Sequence, residues 1–256
     1  MQISVVVPVH NEEDNVESLI AEISAALQPS YTYEMIFVDD GSKDETALKI
    51  HQAKLEQYLK VPVEIISYSV NRGRGCAIKT GVLRSSSDYT LYCDADFSIP
   101  LKNLKKFIPY LEKDYDLLIG SKKKPGARAK IERSFLRNII GFGHTVIASL
   151  ILGVFVWDFQ GGFKIFSKKL VEEVFPLLTI DRWGFDMEII FLAKKLGYKT
   201  IELPVVWSHI ENGSKVKLAR DILRALKEMV KIKINWFKGT YLPSPIPFPK
   251  PFYAPV

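Results

Sequence analysis

Two acidic residues separated by one alanine, in the segment Asp94-Ala95-Asp96, are the side chains best suited to chemistry in this sequence. They follow the apolar run 89–93, which is typical of a buried strand. Carboxylate oxygens are the ligands that Mg²⁺ and Mn²⁺ prefer, and a cation held there could neutralise a diphosphate. A solvated turn after a strand has the same pattern, so the surrounding sequence must distinguish a metal site from a turn.

The elements around this segment alternate between strand and helix over the first 120 residues. Apolar runs predict strands at 3–7, 35–38, 63–67, 89–93 and 117–119, and helical spacing predicts helices at 13–27, 44–59, 76–84 and 101–111. Such alternation predicts an α/β fold with right-handed βαβ units and a mostly parallel sheet flanked by helices. In sheets of this kind, ligands bind at the carboxyl ends of the strands.

Polar segments fall at four of those carboxyl ends, at residues 11–12, 39–40, 71–75 and 94–96. The sequence therefore predicts that they converge on one edge of the sheet. Carboxylates of the first two segments could bind a base or ribose, but first-turn acids and a capped turn explain them as well. The basic loop 71–75 lacks the G-x-G-x-x-G spacing and is better suited to phosphates.

Charge is divided unequally along the chain, which carries a net +6. Residues 1–100 hold 8 Lys/Arg against 15 Asp/Glu, whereas residues 101–256 hold 27 against 14. This division indicates a metal–nucleotide site beside a surface that meets anions, such as phospholipid head groups or a phosphorylated acceptor. Basic residues beside apolar stretches, instead of along a polar groove, argue against nucleic acid. The start lacks a signal-peptide pattern and the two cysteines lack metal or redox spacing, so we expect a cytoplasmic location.

The second half combines basic and apolar segments. A cationic run over 122–137 precedes residues 138–157, which contain no charged side chain, and a basic helix with apolar residues is predicted at 215–237. The uncharged segment could be a spanning helix, a buried core helix or an interfacial membrane contact, and the adjacent basic residues favour the last. The proline-rich tail from residue 243 is not expected to form regular structure.

Two further acids, Asp186 and Glu188, stand two residues apart at the start of a predicted helix near 183–196. Asp186 could act as a base or orient an acceptor, and it could equally cap that helix.

Taken together, segments 8–12, 38–44, 71–81 and 94–96 resemble the inverting GT-A glycosyltransferases of family 2. Segments 132–138, 158–166, 182–188 and 213–215 are similar to the dolichyl-phosphate glucosyltransferase branch, and less so to the dolichyl-phosphate mannose synthases. The resemblance covers residues 2–237. It implies a Rossmann-like GT-A core at 1–120, an acceptor-binding half of the same domain at 121–214 and a membrane-associating amphipathic helix at 215–242, before the tail at 243–256.

The resemblance also implies a role for individual residues. The nucleotide-sugar contacts would be Pro8, Glu12, Asp39, Asp40, Arg74, Lys79 and Asp94. Asp96, with Asp94, would hold Mg²⁺ or Mn²⁺, and the catalytic carboxylates would be Asp96 and Asp186. The phosphate of the acceptor would meet Lys122, Arg133, Arg137 and Arg182. The sequence departs from the family at Ser98, where mannose synthases often have a Gln ligand, and at Lys122, where Arg is usual.

The resulting hypothesis is inverting transfer of a hexose, with UDP-glucose as the favoured donor, to dolichyl or another polyprenyl phosphate at the cytoplasmic face of a membrane. GDP-mannose as donor, a soluble or polysaccharide acceptor, and a non-catalytic nucleotide-binding module are the alternatives. A processive polysaccharide synthase is disfavoured because Thr179 replaces the Gln of the Gln-x-x-Arg-Trp pattern.

Overall fold

The computed structural model describes residues 1–26, 31–56, 61–130, 135–208 and 218–242. The strands in these ranges are β1 (Gln2–Val9), β2 (Thr32–Asp39), β3 (Val63–Ser67), β4 (Tyr89–Cys93), β5 (Leu117–Ser121), β6 (Arg128–Ala129), β7 (Phe163–Ser167), β8 (Thr200–Pro204) and β9 (Val206–Trp207). The α-helices are α1 (Val16–Ala26), α2 (Thr46–Leu55), α3 (Arg74–Arg84), α4 (Leu104–Leu111), α5 (Phe135–Leu152), α6 (Lys168–Val174), α7 (Phe185–Lys195) and α8 (Leu218–Phe237). Two 3-10 helices occupy Leu101–Asn103 and Phe175–Leu177.

Seven of the strands form one sheet in the order β3-β2-β1-β4-β7-β5-β8, and β6 pairs with β9 in a small second sheet. Every neighbouring pair in the large sheet is parallel except the two that involve β7, which runs antiparallel to β4 and β5. The predicted mostly parallel sheet with flanking helices is confirmed. Strand β7 is not among the predicted strands, because its short apolar run is interrupted by Lys164.

The sheet is buried on both faces because its strands alternate apolar side chains between two cores. Val5 and Val7 of β1 pack with helices α1 and α4 on one face, whereas Val6 packs on the other face with α3 and α7. A parallel sheet covered by helices on both sides accounts for the continuous β-branched sequence of β1. The carboxyl ends of β1, β2, β3 and β4 therefore lie together at one edge.

Helices α5 and α8 pack against each other, and each combines buried with exposed apolar residues. Met229 and Ile232 of α8 are buried in the core, whereas Leu223, Val230, Ile234 and Phe237 are exposed. Part of the apolar sequence predicted to meet a membrane thus belongs to the protein core. Within the described ranges, none of the helices has both the length and the apolar character needed to traverse a bilayer. Residues 213–215 and the proline-rich tail lie outside these ranges.

Candidate active site

Side-chain and backbone contacts join the loops at the carboxyl edge of the sheet. The Asn11 amide donates to Ser42 Oγ (3.0 Å), and the Asn11 side-chain oxygen accepts from the Lys43 amide (2.8 Å). The Glu12 amide donates to Thr46 Oγ1 at 2.8 Å, and Asn71 Nδ2 donates to the Asp40 carbonyl at 3.2 Å. The loops after β1, β2 and β3 are therefore one connected surface, as strand-end convergence predicts.

Asp39 and Asp40, the two aspartates predicted to lie near the base, are both buried but accept hydrogen bonds from different segments. Asp40 accepts from the Arg72 amide at 2.7 Å and from the Gly73 amide at 2.9 Å. These bonds fix a turn in which Gly73 has φ 109°, a conformation that favours glycine. Asp39 accepts from the Ser42 amide at 3.0 Å through Oδ1. Asp40 thus builds the loop itself, and a contact from Asp39 to a base stays a prediction.

Arg74, the first residue of α3, bridges two carboxylates that are far apart in sequence. Its Nε and Nη2 donate to Asp94 Oδ1 at 3.0 and 2.7 Å, and its Nη1 donates to Asp186 Oδ2 at 2.8 Å. Burial alone would lower the pKa of Arg74, but the charges of Asp94 and Asp186 and the hydrogen bond to Asp94 raise it well above the ordinary value. Arg74 therefore stays charged and connects the β4 loop to α7.

Lys164 completes this network from the antiparallel strand β7. Its side chain is 0% exposed, and its Nζ donates to Asp186 Oδ1 at 2.6 Å and to the Gly161 carbonyl at 2.7 Å. Tyr92 donates its hydroxyl to the same Asp186 oxygen at 3.0 Å. Sequence analysis assigned Lys164 no role, although a lysine inside an apolar strand run is a signal of a buried ion pair.

Asp186 is consequently an ionised, fully paired carboxylate. Burial would raise its pKa, but the charges of Lys164 and Arg74 and their hydrogen bonds hold the pKa below the ordinary value. A carboxylate with a low pKa and these partners is a poor general base. Of the two roles predicted for Asp186, orientation of neighbouring groups fits this geometry better than proton removal.

Asp94 reaches its position because the Gly161-Gly162 turn leaves room for it. A Cβ on Gly162 would stand 1.7 Å from Asp94 Oδ2, and a Cβ on Gly161 would stand 2.3 Å from the Gly120 carbonyl oxygen. Both distances are far below any van der Waals contact. The two glycines before β7 are therefore required by the β4 loop and by the end of β5.

Asp96 is the exposed carboxylate of the pair, and its Oδ1 accepts from the Ser98 amide at 2.8 Å. Phe97, between Asp96 and Ser98, has a backbone φ of 45°, an uncommon conformation for a residue with a side chain of this size. Glu12 lies close enough for the charge of Asp96 to act on it. Burial, and then the charges of Asp96 and Asp44, raise the pKa of Glu12 despite its hydrogen bond from Asn15.

These residues fit a divalent cation of the kind that takes few protein ligands. In the described part of the chain, no three His, Cys, Asp or Glu side chains form a metal-binding group. Mg²⁺ typically binds one or two carboxylates and completes its shell with phosphates and water. The exposed Asp96 lies two residues after Asp94 and close enough to Glu12 for the two charges to interact, and it fits that kind of incomplete shell.

The predicted acceptor residues are placed differently from one another. Lys122 Nζ donates to Ser98 Oγ at 2.8 Å and lies 5.7 Å from the centre of the Trp207 ring, so it adjoins the Asp96 loop. Arg182 is exposed, in the loop before α7 that packs on Gly73. Arg133 lies outside the described residues, and the side chain of Arg137 is not among those described.

Lys79 and Pro8, two of the predicted nucleotide-sugar residues, make contacts within the protein, and their contact with a nucleotide stays a prediction. Lys79 Nζ donates to the Leu178 carbonyl at 2.7 Å, and burial lowers its pKa against the charges of Glu188 and Asp181. These contacts connect Lys79 to the loop before α7 and not to Asp94. Pro8 is the penultimate residue of β1 and pairs in register with Val38 of β2, beneath the edge that carries the loops.

Comparison with known proteins agrees with this arrangement. Residues 4–175 match the family described as glycosyl transferase family 2. The chain is 32% identical over 250 residues to a dolichyl-phosphate beta-glucosyltransferase of Dictyostelium discoideum, covering 93% of this chain and 76% of the relative. It is 33% identical over 258 residues to the protein of the same name from Saccharomyces cerevisiae, with the same coverage of both chains.

Solved structures show the same fold at lower identity. Glucosyl-3-phosphoglycerate synthase from Mycobacterium tuberculosis, in complex with Mn²⁺, UDP-glucose and glycerol 3-phosphate, superposes with a TM-score of 0.68 at 18% identity, covering 90% of this chain and 79% of that one. A mannosyltransferase from Pyrobaculum calidifontis in complex with GDP-Man and Mn²⁺ gives 0.63 at 19% identity, covering 91% and 64%. On the family match and the extent of the identity, this chain belongs to glycosyltransferase family 2.

Proposed function

We propose that this enzyme transfers glucose from UDP-glucose to dolichyl or another polyprenyl phosphate, with inversion at the anomeric carbon. The observation that carries the proposal is the 33% identity, over 93% of this chain, to a relative named dolichyl-phosphate beta-glucosyltransferase, a name that states the acceptor, the sugar and the β linkage. Identity that extends through α7 and α8 covers the half of the chain expected to bind the acceptor, and not only the nucleotide-binding half.

The donor is assigned to the carboxyl edge of β1, β2 and β4. Glu12 and Asp39 are proposed to bind the base and Asp94 the ribose. Asp96, with Asp94, is proposed to hold Mg²⁺ or Mn²⁺, and a fold neighbour binds UDP-glucose together with Mn²⁺. A cation at this position supplies electrostatic stabilisation of the charge that develops on the departing diphosphate.

The acceptor phosphate is assigned to the loop that follows β5. Lys122, 2.8 Å from Ser98 Oγ, stands beside the Asp96 loop, where a cation can draw an acceptor phosphate toward the donor. Arg182 is proposed to approach the same phosphate, and roles for Arg133 and Arg137 stay predictions. A phosphate monoester is largely ionised near neutral pH, so its oxygen can attack without a strong base. Asp186, held by Lys164 and Arg74, orients the site.

A membrane surface is proposed to meet α5 and α8. Exposed apolar side chains occur on both helices: Ile139, Phe142 and Leu150 on α5, and Leu223, Val230, Ile234 and Phe237 on α8. Exposed basic residues Arg224, Lys227 and Lys238 accompany them. Apolar residues flanked by cations suit the head-group layer of an anionic membrane. The cytoplasmic face stays a prediction.

The experiment that tests this proposal incubates purified protein with Mn²⁺, dolichyl phosphate in vesicles and, in separate reactions, labelled UDP-glucose, GDP-mannose and UDP-N-acetylglucosamine. We expect label in the organic phase from UDP-glucose alone. Label from GDP-mannose alone would show that GDP-mannose, and not UDP-glucose, is the donor. Transfer only to soluble acceptors would contradict the assignment of a lipid phosphate as acceptor.

The same assay separates catalysis from folding through two acidic variants. Asp96→Ala is expected to abolish transfer. Glu172→Ala is the matched control, because Glu172 is an exposed acid on α6, which begins where β7 ends, at the opposite edge of the sheet. Full transfer by Asp96→Ala would contradict the assignment of the carboxylate site.

A further inference from the structure

Glu188, two residues after Asp186, is a fully buried carboxylate that the proposed reaction does not use. Its oxygens accept from the Thr179 amide (3.0 Å), Thr179 Oγ1 (2.7 Å) and the Ile180 amide (3.0 Å). A carboxylate that accepts several bonds from one backbone segment fixes that segment firmly. Glu188 thus sets the conformation of the loop 178–184, which connects the second 3-10 helix to α7.

The loop 178–184 forms one wall of the site described above. The Asp181 carbonyl accepts from the Cys76 amide at 2.9 Å, which places the loop on the first turn of α3. The same stretch of backbone packs on glycines of that turn, since a Cβ on Gly73 would stand 2.7 Å from the Asp181 carbonyl oxygen. Trp183 lies 5.6 Å, ring centre to guanidinium carbon, from Arg74. A shift of this loop would therefore move the residues that hold Asp94 and Asp186.

Glu188 also has partners at the other end of the chain. Tyr241, in the turn after α8, is 2% exposed and donates its hydroxyl to Glu188 Oε1 at 2.7 Å. Burial, and then the charge of Glu188, raise the pKa of Tyr241, so the hydroxyl stays a donor at physiological pH. Asn235 of α8 donates to Thr179 Oγ1 at 3.0 Å, and Lys231 donates to the Thr179 carbonyl at 3.3 Å.

These contacts attach α8 to the active-site loop by a specific polar cluster, in addition to its apolar packing. Along α8 the exposed residues Val230 and Ile234 alternate with Lys231 and Asn235, which reach Thr179. The helix proposed to meet the membrane is therefore the same helix that fixes the loop.

We propose that Glu188 is a positioning residue for the transfer step: held by Tyr241, it fixes the loop 178–184 and, through that loop, the Arg74–Asp186 pair against Asp94. This inference rests on the proposed function for its reaction, but its geometry concerns only this chain. The turn after α8, which contains Tyr241, would therefore influence catalysis through Glu188 and the loop 178–184. The nucleotide-binding loops after β1 and β2 are fixed by their own hydrogen bonds and should not depend on the cluster.

The test compares Tyr241→Phe with Tyr198→Phe in the full chain. Both variants lose one tyrosine-to-glutamate hydrogen bond, but Tyr198 donates to Glu173 at the exposed side of α6, away from the loop. We expect Tyr241→Phe to lower kcat by about two- to tenfold, the factor that corresponds to one buried hydrogen bond. The Kd for UDP with Mn²⁺, measured by calorimetry, should rise by a smaller factor than kcat falls, because the loops after β1 and β2 keep their own hydrogen bonds. Tyr198→Phe should leave both quantities unchanged.

A second pair of variants distinguishes the loss of one hydroxyl group from misfolding of the chain. Thr179→Val removes the hydroxyl that links Glu188 and Asn235 while keeping the shape, and Thr179→Ser restores the hydroxyl. Activity lost in the valine variant and recovered in the serine variant supports the proposal. Equal kcat in wild type, Tyr241→Phe and Thr179→Val would overturn it, as would a parallel rise in the Kd for UDP, which would indicate general loosening of the fold.

Hydrogen exchange separates this proposal from the proposed function. The Thr179 and Ile180 amides should exchange faster in Tyr241→Phe than in wild type and Tyr198→Phe, whatever the sugar or acceptor is. Unchanged exchange at these amides would overturn the positioning role. Failure of wild type to label polyprenyl phosphate would overturn only the proposed function.

Discussion

Replacing Gly162 by alanine is expected to displace the Asp94 carboxylate, because the new Cβ would lie 1.7 Å from Oδ2 and 2.4 Å from Cγ. Gly162 is followed immediately by β7, which pairs with both β4 and β5, so the backbone there has little freedom to retreat. The carboxylate must therefore rotate away, and doing so breaks its two bonds from Arg74, at 3.0 and 2.7 Å.

The size of the effect follows from those two bonds. A hydrogen bond to a charged group contributes about 1.5–3 kcal/mol, so losing both costs about 3 kcal/mol or more. That cost falls on the free energy of unfolding; if Asp94 acts on the donor in the transition state, displacing its carboxylate by about 1 Å should in addition lower turnover by about a hundredfold. The assay is release of UDP from UDP-glucose with acceptor present, together with calorimetric binding of UDP and Mn²⁺.

Gly143→Ala is the matched control for this variant. Gly143 lies within α5, and a Cβ there would meet nothing within 4 Å. Alanine at that position should leave turnover unchanged and stabilise the helix by about 0.5–1 kcal/mol. Turnover of Gly162→Ala within threefold of wild type would show that the position of the Asp94 carboxylate does not determine turnover, and would contradict this prediction.

Three further predictions concern the buried ion pair, its pH dependence and the membrane face. Lys164→Met leaves Asp186 buried with one partner fewer and should lower the free energy of unfolding in urea by about 3 kcal/mol. The double variant Lys164→Met/Asp186→Asn should recover part of that loss, and simple additivity would contradict a direct pair. Because the folded-state pKa of Asp186 lies below its unfolded value near 3.8, its stabilisation is fully present above that value and is lost as the pH falls through the folded pKa. Asp186→Asn should therefore flatten the loss of stability as the pH falls below 3.8, and an unchanged slope would argue against the pairing. Phe237→Glu should reduce sedimentation with anionic vesicles, whereas Leu55→Glu, an equally exposed site on α2, should not; equal losses would argue against a specific face.

Much of the fold could be predicted from the sequence because its signals are local. Continuous apolar runs identified the parallel strands, helical apolar spacing identified the helices between them, and polar residues at strand ends identified the binding edge. Arg74 was predicted to lie near phosphates from its loop position. Its bridge between Asp94 and Asp186 could not be predicted, since Asp186 is 112 residues away in the chain.

The parts that sequence analysis missed depend on partners far along the chain. Strand β7 was missed because Lys164 interrupts its apolar run, and that lysine can be buried only because Asp186, 22 residues later, neutralises it. Glu188 was noted beside Asp186 at the start of a predicted helix, but its role could not be predicted, since its partner Tyr241 lies 53 residues away, after another helix. In both cases a charged side chain is expected at the surface unless the distant residue that pairs with it is known.

Inverting transfer to a lipid phosphate can be read from the configuration of the product. Incubating the enzyme with UDP-α-glucose, Mn²⁺ and dolichyl phosphate, and recording the anomeric proton coupling of the extracted product by NMR, reports both acceptor and stereochemistry. We expect β-glucosyl phosphate on the lipid. An α-linked product, or glucose on any acceptor other than the lipid phosphate, would contradict it.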